Sequence, residues 1–153
     1  MGRATVARPI FRLPRYNTAA RLIMAGAQFA SLQNHKYINL ATFRKNGQEV
    51  RTPVWFAGEP PQGVPEKVYV YGTANSGKAK RIRNNGRVRL APCETRGKLL
   101  GEWIEAHAEL VEGQEAQNGM RLLNKKYFPW RQVLAFFALF SREKRVVFVI
   151  RPA

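Results

Sequence analysis

The sequence predicts a mainly β domain with helices, its strands closing into a small barrel. Three observations predict this: six short segments alternate β-branched or aromatic residues with polar ones, turn residues separate them at hairpin spacing, and only one strand–helix–strand crossover is readable. A doubly wound nucleotide fold would need several such crossovers. The 153 residues are 45% hydrophobic and 24% charged, the size and balance of one globular domain. A large multidomain enzyme and a wholly disordered chain are thereby excluded.

Residues 1–15 read as an extended basic arm, because Pro9 and Pro14 interrupt helix formation. From Thr18, a candidate cap, Ala19, Leu22, Ile23, Ala27 and Ala30 recur on one side of a helix that Gly26 weakens. A hairpin follows: Tyr37 to Phe43 goes out, Asn46 and Gly47 offer a type I′ turn, and Val50 to Phe56 returns. Pro53 cannot donate a ladder hydrogen bond, so it marks an edge, a bulge or a strand end.

Gly58 to Pro65, with two Gly and three Pro, reads as a surface loop, and Lys67 to Tyr71 as the third strand. Ser76 caps a short helix in which Ala79 and Ile82 share a face and which Asn84, Asn85 and Gly86 end. Arg87 to Cys93 is a fourth strand, and Lys98 to Leu110 a long fifth with Trp103 near its middle. Helices over Gln114–Tyr127 and Trp130–Phe140 precede a closing strand, Val146 to Ile150.

Composition narrows the chemistry. Twenty-six Lys and Arg stand against ten acids, a formal net charge of +16, and every acid is Glu. With no Asp, an Asp-rich calcium loop, an aspartate pair and a Walker-B magnesium site are excluded. Lone Cys93 allows no intrachain disulfide and no cysteine metal knuckle, and reads as a small buried hydrophobe. The longest strongly apolar run near the C-terminus, Val133 to Phe140, is far shorter than the roughly 20 residues of a membrane helix. Arg21 and Gln28 interrupt the apolar stretch near the N-terminus, so the expectation is a cytoplasmic protein without a secretory leader or membrane partner.

The charge comes in blocks. Residues 1–48, 76–98 and 121–153 each carry eight basic side chains with at most one acid, whereas residues 99–120 carry five Glu and no Lys or Arg. Such blocks favour a shaped anion site over a uniform tail. Gly72-Thr-Ala-Asn-Ser-Gly-Lys78 follows a strand and opens a helix, in the frame of a nucleotide phosphate loop. The next residue, Ala79, stands where a magnesium-binding hydroxyl is needed, which argues against a nucleotide triphosphatase. Two readings of the segment remain: Thr73, Ser76, Gly77 and Lys78 cradle a single phosphate, or Ser76 is only a cap on a solvated basic helix.

Taken together, Leu40-Ala-Thr-Phe-Arg-Lys-Asn-Gly47, Thr52-Pro-Val-Trp-Phe56, Val70-Tyr-Gly-Thr-Ala-Asn-Ser-Gly-Lys78 with Lys80-Arg81, and Val88-Arg-Leu-Ala-Pro-Cys93 ahead of Gly97 and Gly101 resemble the pyridoxamine 5′-phosphate oxidase-like superfamily. The match is nearest to its deazaflavin-dependent branch and covers residues 34–110. The resemblance implies a split β-barrel (FMN-binding split barrel) homodimer with two cofactor sites at its interface. It divides the chain into a basic N-terminal arm and helix, 1–33, and a cofactor-binding barrel domain, 34–153. Arg51, Thr52, Pro53, Val54 and Trp55 would line the ring system, with the Pro53-Val54 backbone facing it, and Thr73, Ser76, Gly77 and Lys78 would hold the phosphate.

The implied function is hydride transfer between reduced coenzyme F420 and a small reducible organic substrate; FMN is the alternative cofactor. Such chemistry rests on the cofactor's electronics, which suits a chain whose histidines, His35 and His107, both read as structural or solvated. Trp55 is divided between a cofactor contact and the core. Trp130, Phe136, Phe137 and Phe140 read first as core and otherwise as a cover for a partner subunit or the mouth of the substrate site. Nucleic-acid binding through basic and aromatic residues is the competing class, opposed by Glu102, Glu105 and Glu109 on the fifth strand. Cofactor storage without turnover is the third.

Overall fold

The computed structural model describes residues 18–61, 63–129 and 144–153. The predicted extended arm and the Trp130–Phe140 helix lie outside them.

Helix α1, Thr18–Ala30, leads into β1, Tyr37–Phe43, and β2, Glu49–Val54, then β3, Ala57–Glu59, and β4, Lys67–Thr73. Helix α2, Gly77–Asn84, is the crossover to β5, Arg87–Cys93; β6, Ile104–Val111, α3, Gly113–Lys126, and β7, Arg145–Pro152, complete the chain. All seven strands form one sheet in the order β2-β1-β5-β6-β7-β4-β3, and every pairing is antiparallel.

That order dictates a curl. Six inter-strand spacings of about 4.8 Å would set the edges of a flat sheet about 29 Å apart. Yet the edge strands β2 and β3 are joined through Trp55 and Phe56 alone, a link spanning at most ~11 Å. The sheet therefore wraps until its edges meet at that corner, an open half-barrel.

The interior holds Ile38, Leu40, Val54, Phe56, Val68, Val70, Val88, Leu90, Phe148 and Ile150, and Phe29 at the end of α1 and Leu32 in the turn after it add to it, both fully buried. On the outer face α3 packs Leu122, Leu123 and Tyr127 against Tyr69, Val147 and Val149. Gly119 permits this approach, since a Cβ there would lie 2.7 Å from the Tyr69 ring.

Three expectations are corrected. Among the described residues there are seven strands rather than six, because Ala57–Glu59, which follows the expected return strand and includes the start of the expected loop, pairs with Tyr69–Lys67. The hairpin turn is not type I′, which needs two positive φ angles: only Gly47 has one, at 85°, and a Gly47 N–H to Arg44 carbonyl bond makes the loop one residue longer. The fifth of the expected strands is shortened to Ile104–Val111: of its expected first residues, Leu99 bridges Cys93 and Leu100 donates to the Pro92 carbonyl, and regular pairing with β5 begins only at Ile104. In α1, Ile23 is 72% exposed and Phe29 is fully buried.

Candidate functional site

The predicted site residues fall into two groups. Arg51 to Val54 occupy β2, whose only neighbour is β1, so its outer edge presents backbone groups that no strand uses. Along it Val54 enters the barrel core, and half-buried Pro53 lies opposite Asn39. Arg51 is exposed, paired with Glu49 at 3.4 Å, and its guanidinium lies 4.8 Å from the centre of the Trp103 ring. Half-buried Thr52 pairs with Leu40. Asn39 donates to the Gly97 carbonyl at 3.2 Å, while its buried Oδ1 has no hydrogen-bond partner.

Trp55 turns the other way. Its ring stacks on Tyr127, 4.6 Å between centroids and 7° from parallel, on the α3 side of the sheet. The Tyr127 hydroxyl accepts the Phe56 N–H at 3.0 Å and faces the carbonyls of Lys36, at 2.7 Å, and Phe56, at 2.8 Å, either of which can take its proton. One phenol thus clamps the corner where the two sheet edges meet, and burial raises its pKa well above the ordinary tyrosine value.

The second group opens α2. The Ser76 hydroxyl accepts the Ala79 N–H at 3.1 Å, and the Thr73 carbonyl accepts the Ser76 N–H. The predicted cap is present, and it leaves the Ser76 O–H proton able to donate to an anion. Half-buried Lys78 folds back toward β4: a Cβ on Gly72 would lie 3.4 Å from its Cε. Burial, then the charge of Arg81, lowers its pKa.

Beside this turn is a cleft of about 660 Å³ lined by Arg44, Lys45, Lys80 and Arg81, with Asn84, Asn85, Phe43 and Gly77 completing it. None of the lining residues is a carboxylate, and none of the four cations forms an ion pair among the described residues. Arg81 is held in place by donating from Nε to Thr42 Oγ1 at 2.7 Å. Burial, then the neighbouring charge of Arg44, lowers its pKa. Gly77 makes room, since a Cβ there would come within 2.7 Å of the Arg81 guanidinium. Like charges gathered without a counterion favour an anion.

Of the predicted phosphate group, only Gly77 lines this cleft. Sequence reasoning missed Arg44 and Lys45, which look like an ordinary charged hairpin turn. Their one signal is that Arg44-Lys45, like Lys80-Arg81, stands in the segments that carry the family resemblance, and only folding brings the turn against α2. Arg83 lies apart, donating to the Ala74 carbonyl at 2.9 Å.

At the other end of the β1–β2 hairpin a cavity of about 600 Å³ is lined by α1's end, β3, the proline loop and the last turn of α3. Lys126 is exposed overall, but its Nζ lies 3.5 Å from the centre of the Phe56 ring, and loss of water there lowers its pKa to about 8. Buried Cys93 has its thiol pKa raised by burial. His107 is exposed on β6, its backbone opposite Arg87 and Arg151. No group of three or more His, Cys, Asp or Glu able to hold a metal occurs among the described residues, and no described helix is long and apolar enough to cross a membrane.

The described residues form a curled antiparallel half-barrel with an edge strand at β2 and a cationic cleft at α2, the architecture of a split-barrel protein. Residues 24–153 match the model of the family described as Pyridoxamine 5′-phosphate oxidase, and the chain belongs to that family. No curated protein matches. Among solved structures it is similar to a conserved hypothetical protein from Mycobacterium tuberculosis, at 24% identity over 90% of this chain and 81% of that one, with a TM-score of 0.57. It is also similar to a haem storage protein from Vibrio cholerae, at 17% identity over 86% and 90% with a TM-score of 0.56, and to an F420 reductase, at 20% over 81% and 91% with a TM-score of 0.52. At these identities the likeness concerns the fold.

Proposed function

We propose that the protein is an oxidoreductase that binds a phosphorylated flavin-type cofactor, coenzyme F420 in the first reading and FMN in the second, and transfers a hydride between it and a small reducible organic substrate. The carrying observation is the cleft of Arg44, Lys45, Lys80 and Arg81, which contains no carboxylate and adjoins the start of α2. Family membership supports an anionic cofactor, and the fold similarity to an F420 reductase supports the deazaflavin.

In this reading Thr73, Ser76, Gly77 and Lys78 hold the phosphate, with Arg81 close by. The Ser76 hydroxyl donates its free proton, and a bound anion would offset the burial that lowers the Lys78 pKa. Arg51, Thr52, Pro53, Val54 and Trp55 line one side of the ring system through the strand's open backbone edge, with the Val54 and Trp55 side chains turned into the core and onto Tyr127 and with Asn39 opposite Pro53. When bound, the cofactor supplies the hydride chemistry through its own ring electronics; the chain binds, orients and partly desolvates it. Four cations exceed what one phosphate requires, which favours a cofactor with a longer anionic tail. We also assign the protein to a homodimer in which the partner covers the open edge of β2.

The test is the absorption spectrum and mass of ligand released from protein produced in a host that makes both cofactors, followed by titration of cofactor-free protein over a salt series. F420 is expected to bind more tightly than FMN and to lose more affinity as salt rises, because exposed charges are screened. Light scattering with cofactor present reads the dimer. Tighter FMN binding at every salt concentration, with turnover supported by FMN alone, moves the assignment to the second reading. Failure of both cofactors to bind rejects the proposal.

A further inference from the structure

We propose that the cavity between the end of α1, β3 and the last turn of α3 is a second binding site, for a small apolar molecule carrying one carboxylate. Its volume, about 600 Å³, lies within the range of small-molecule sites. Leu32, Phe56, Ala57, Pro60, Pro65 and Leu122 supply apolar wall, and Leu32, Phe56 and Ala57 are buried at its floor. Such walls favour an aliphatic or aromatic body over a sugar or nucleotide.

Charge selects the head group. The charged residues in the lining are Lys125 and Lys126 alone, and neither forms an ion pair among the described residues. The Lys126 ammonium is set against aromatic faces, 3.5 Å from the Phe56 centroid and 5.4 Å from that of Tyr127. An aromatic face attracts a cation but accepts no strong hydrogen bond, so the N–H donors of Lys126 remain available to a ligand. A carboxylate completes them, whereas an uncharged group gains less and an ammonium is repelled. The lowered proton affinity of Lys126 agrees with an amine short of water and of a counter-charge.

The site is separate from the cleft at α2: the first adjoins the β2–β3 corner, the second the hairpin turn, and they share no lining residue. The inference therefore does not rest on the cofactor assignment. Its test uses no cofactor, so either reading can fail alone.

The experiment is calorimetric titration of the whole protein with decanoate, below its micelle concentration, beside 1-decanol as the uncharged control. Decanoate is expected to bind one per chain, roughly 10-fold or more tighter than decanol, as a charge-assisted hydrogen bond implies. Lys126→Met, which keeps the apolar stem, should bring the two ligands within about 3-fold of each other, while Lys98→Met on a remote surface should leave the preference intact. Gln33→Trp, at the rim, should weaken both ligands, and thermal melts confirm that each variant is folded. Non-saturable uptake, equal binding of decanoate and decanol to the wild type, an intact preference in Lys126→Met, or unchanged affinity in Gln33→Trp would each overturn the proposal.

Discussion

Two basic regions of this molecule share a residue type and differ in company. On the outer face of the sheet, Arg151 bonds Glu109 at 2.7 Å and Glu115 at 3.2 Å, and Lys67 lies 3.7 Å from Glu115 and 3.6 Å from Glu59. Glu59 also accepts from the Tyr69 hydroxyl and from Asn118, each at 2.8 Å. Each cation there is answered, and the network ties α3 to β3, β4, β6 and β7. At α2, Arg44, Lys45, Lys80 and Arg81 converge unanswered. The formal charge of +16 is therefore not one property: the paired cations link neighbouring elements, and the unpaired group leaves a local positive field.

The sharpest test removes Arg81. Arg81→Ala should weaken binding of the phosphorylated cofactor by roughly 13-fold to 160-fold, the equivalent of about 1.5–3 kcal/mol for a charge-assisted hydrogen bond, as read by equilibrium titration. Lost affinity with an unchanged melting temperature keeps the two regions distinct. Unchanged affinity would reduce the cleft to a solvated basic face.

Removing the hub of the paired region should act on stability instead. Glu59→Ala leaves the part-buried Tyr69 hydroxyl and the Asn118 amide without their acceptor, a loss of about 1–3 kcal/mol by denaturant unfolding. Cofactor affinity should not change. A drop in affinity would mean that the two regions are coupled.

Lys126 belongs to neither region, and its pH dependence has a definite sign. Its folded pKa, about 8, lies below the roughly 10.4 of an unfolded lysine. The unfolded chain therefore binds the proton more tightly, and stability rises with pH across that interval. Tyr127 opposes this only above about pH 10, where the unfolded phenol ionises first and the folded one, raised by burial, does not. Unfolding of wild type and Lys126→Met at a series of pH values should show wild type gaining stability relative to the variant from pH 7 to pH 10. A constant difference would place the Lys126 ammonium fully in water.

The smallest effect is expected at Arg151→Ala, at the exposed rim of the paired network. Despite its two short contacts it should cost at most about 1 kcal/mol, and less in high salt, as exposed ion pairs do. A larger loss would show that the network acts as one unit.

Much of this architecture is legible from local pattern. The β1–β2 strands, the Ser76 cap, α3, β4 and β7 lie within a few residues of their expected bounds, because alternation, a capping hydroxyl and a Gly or Asn stop act over one or two turns of chain. Two departures have nonlocal causes. Ala57–Glu59 has no strand signature and becomes β3 because β4 offers it a partner. The Lys98–Trp103 stretch keeps only the Leu99–Cys93 bridge and the Leu100 N–H to Pro92 carbonyl bond before regular pairing begins at Ile104.

By itself, the sequence determined a mainly β chain with a capped crossover helix, no aspartate-based metal chemistry, and two candidate ligand segments, Arg51–Trp55 and Thr73–Lys78. These depend on residue identity and near-neighbour spacing, which the primary structure states outright. Only the tertiary structure decided that β2 is an edge, that Tyr127 clamps the corner to Trp55 and Phe56, and that Arg44 and Lys45 join Lys80 and Arg81 in one cleft. The reason is distance along the chain: these juxtapositions link residues tens of positions apart, and they exist because the sheet curls until its edges meet.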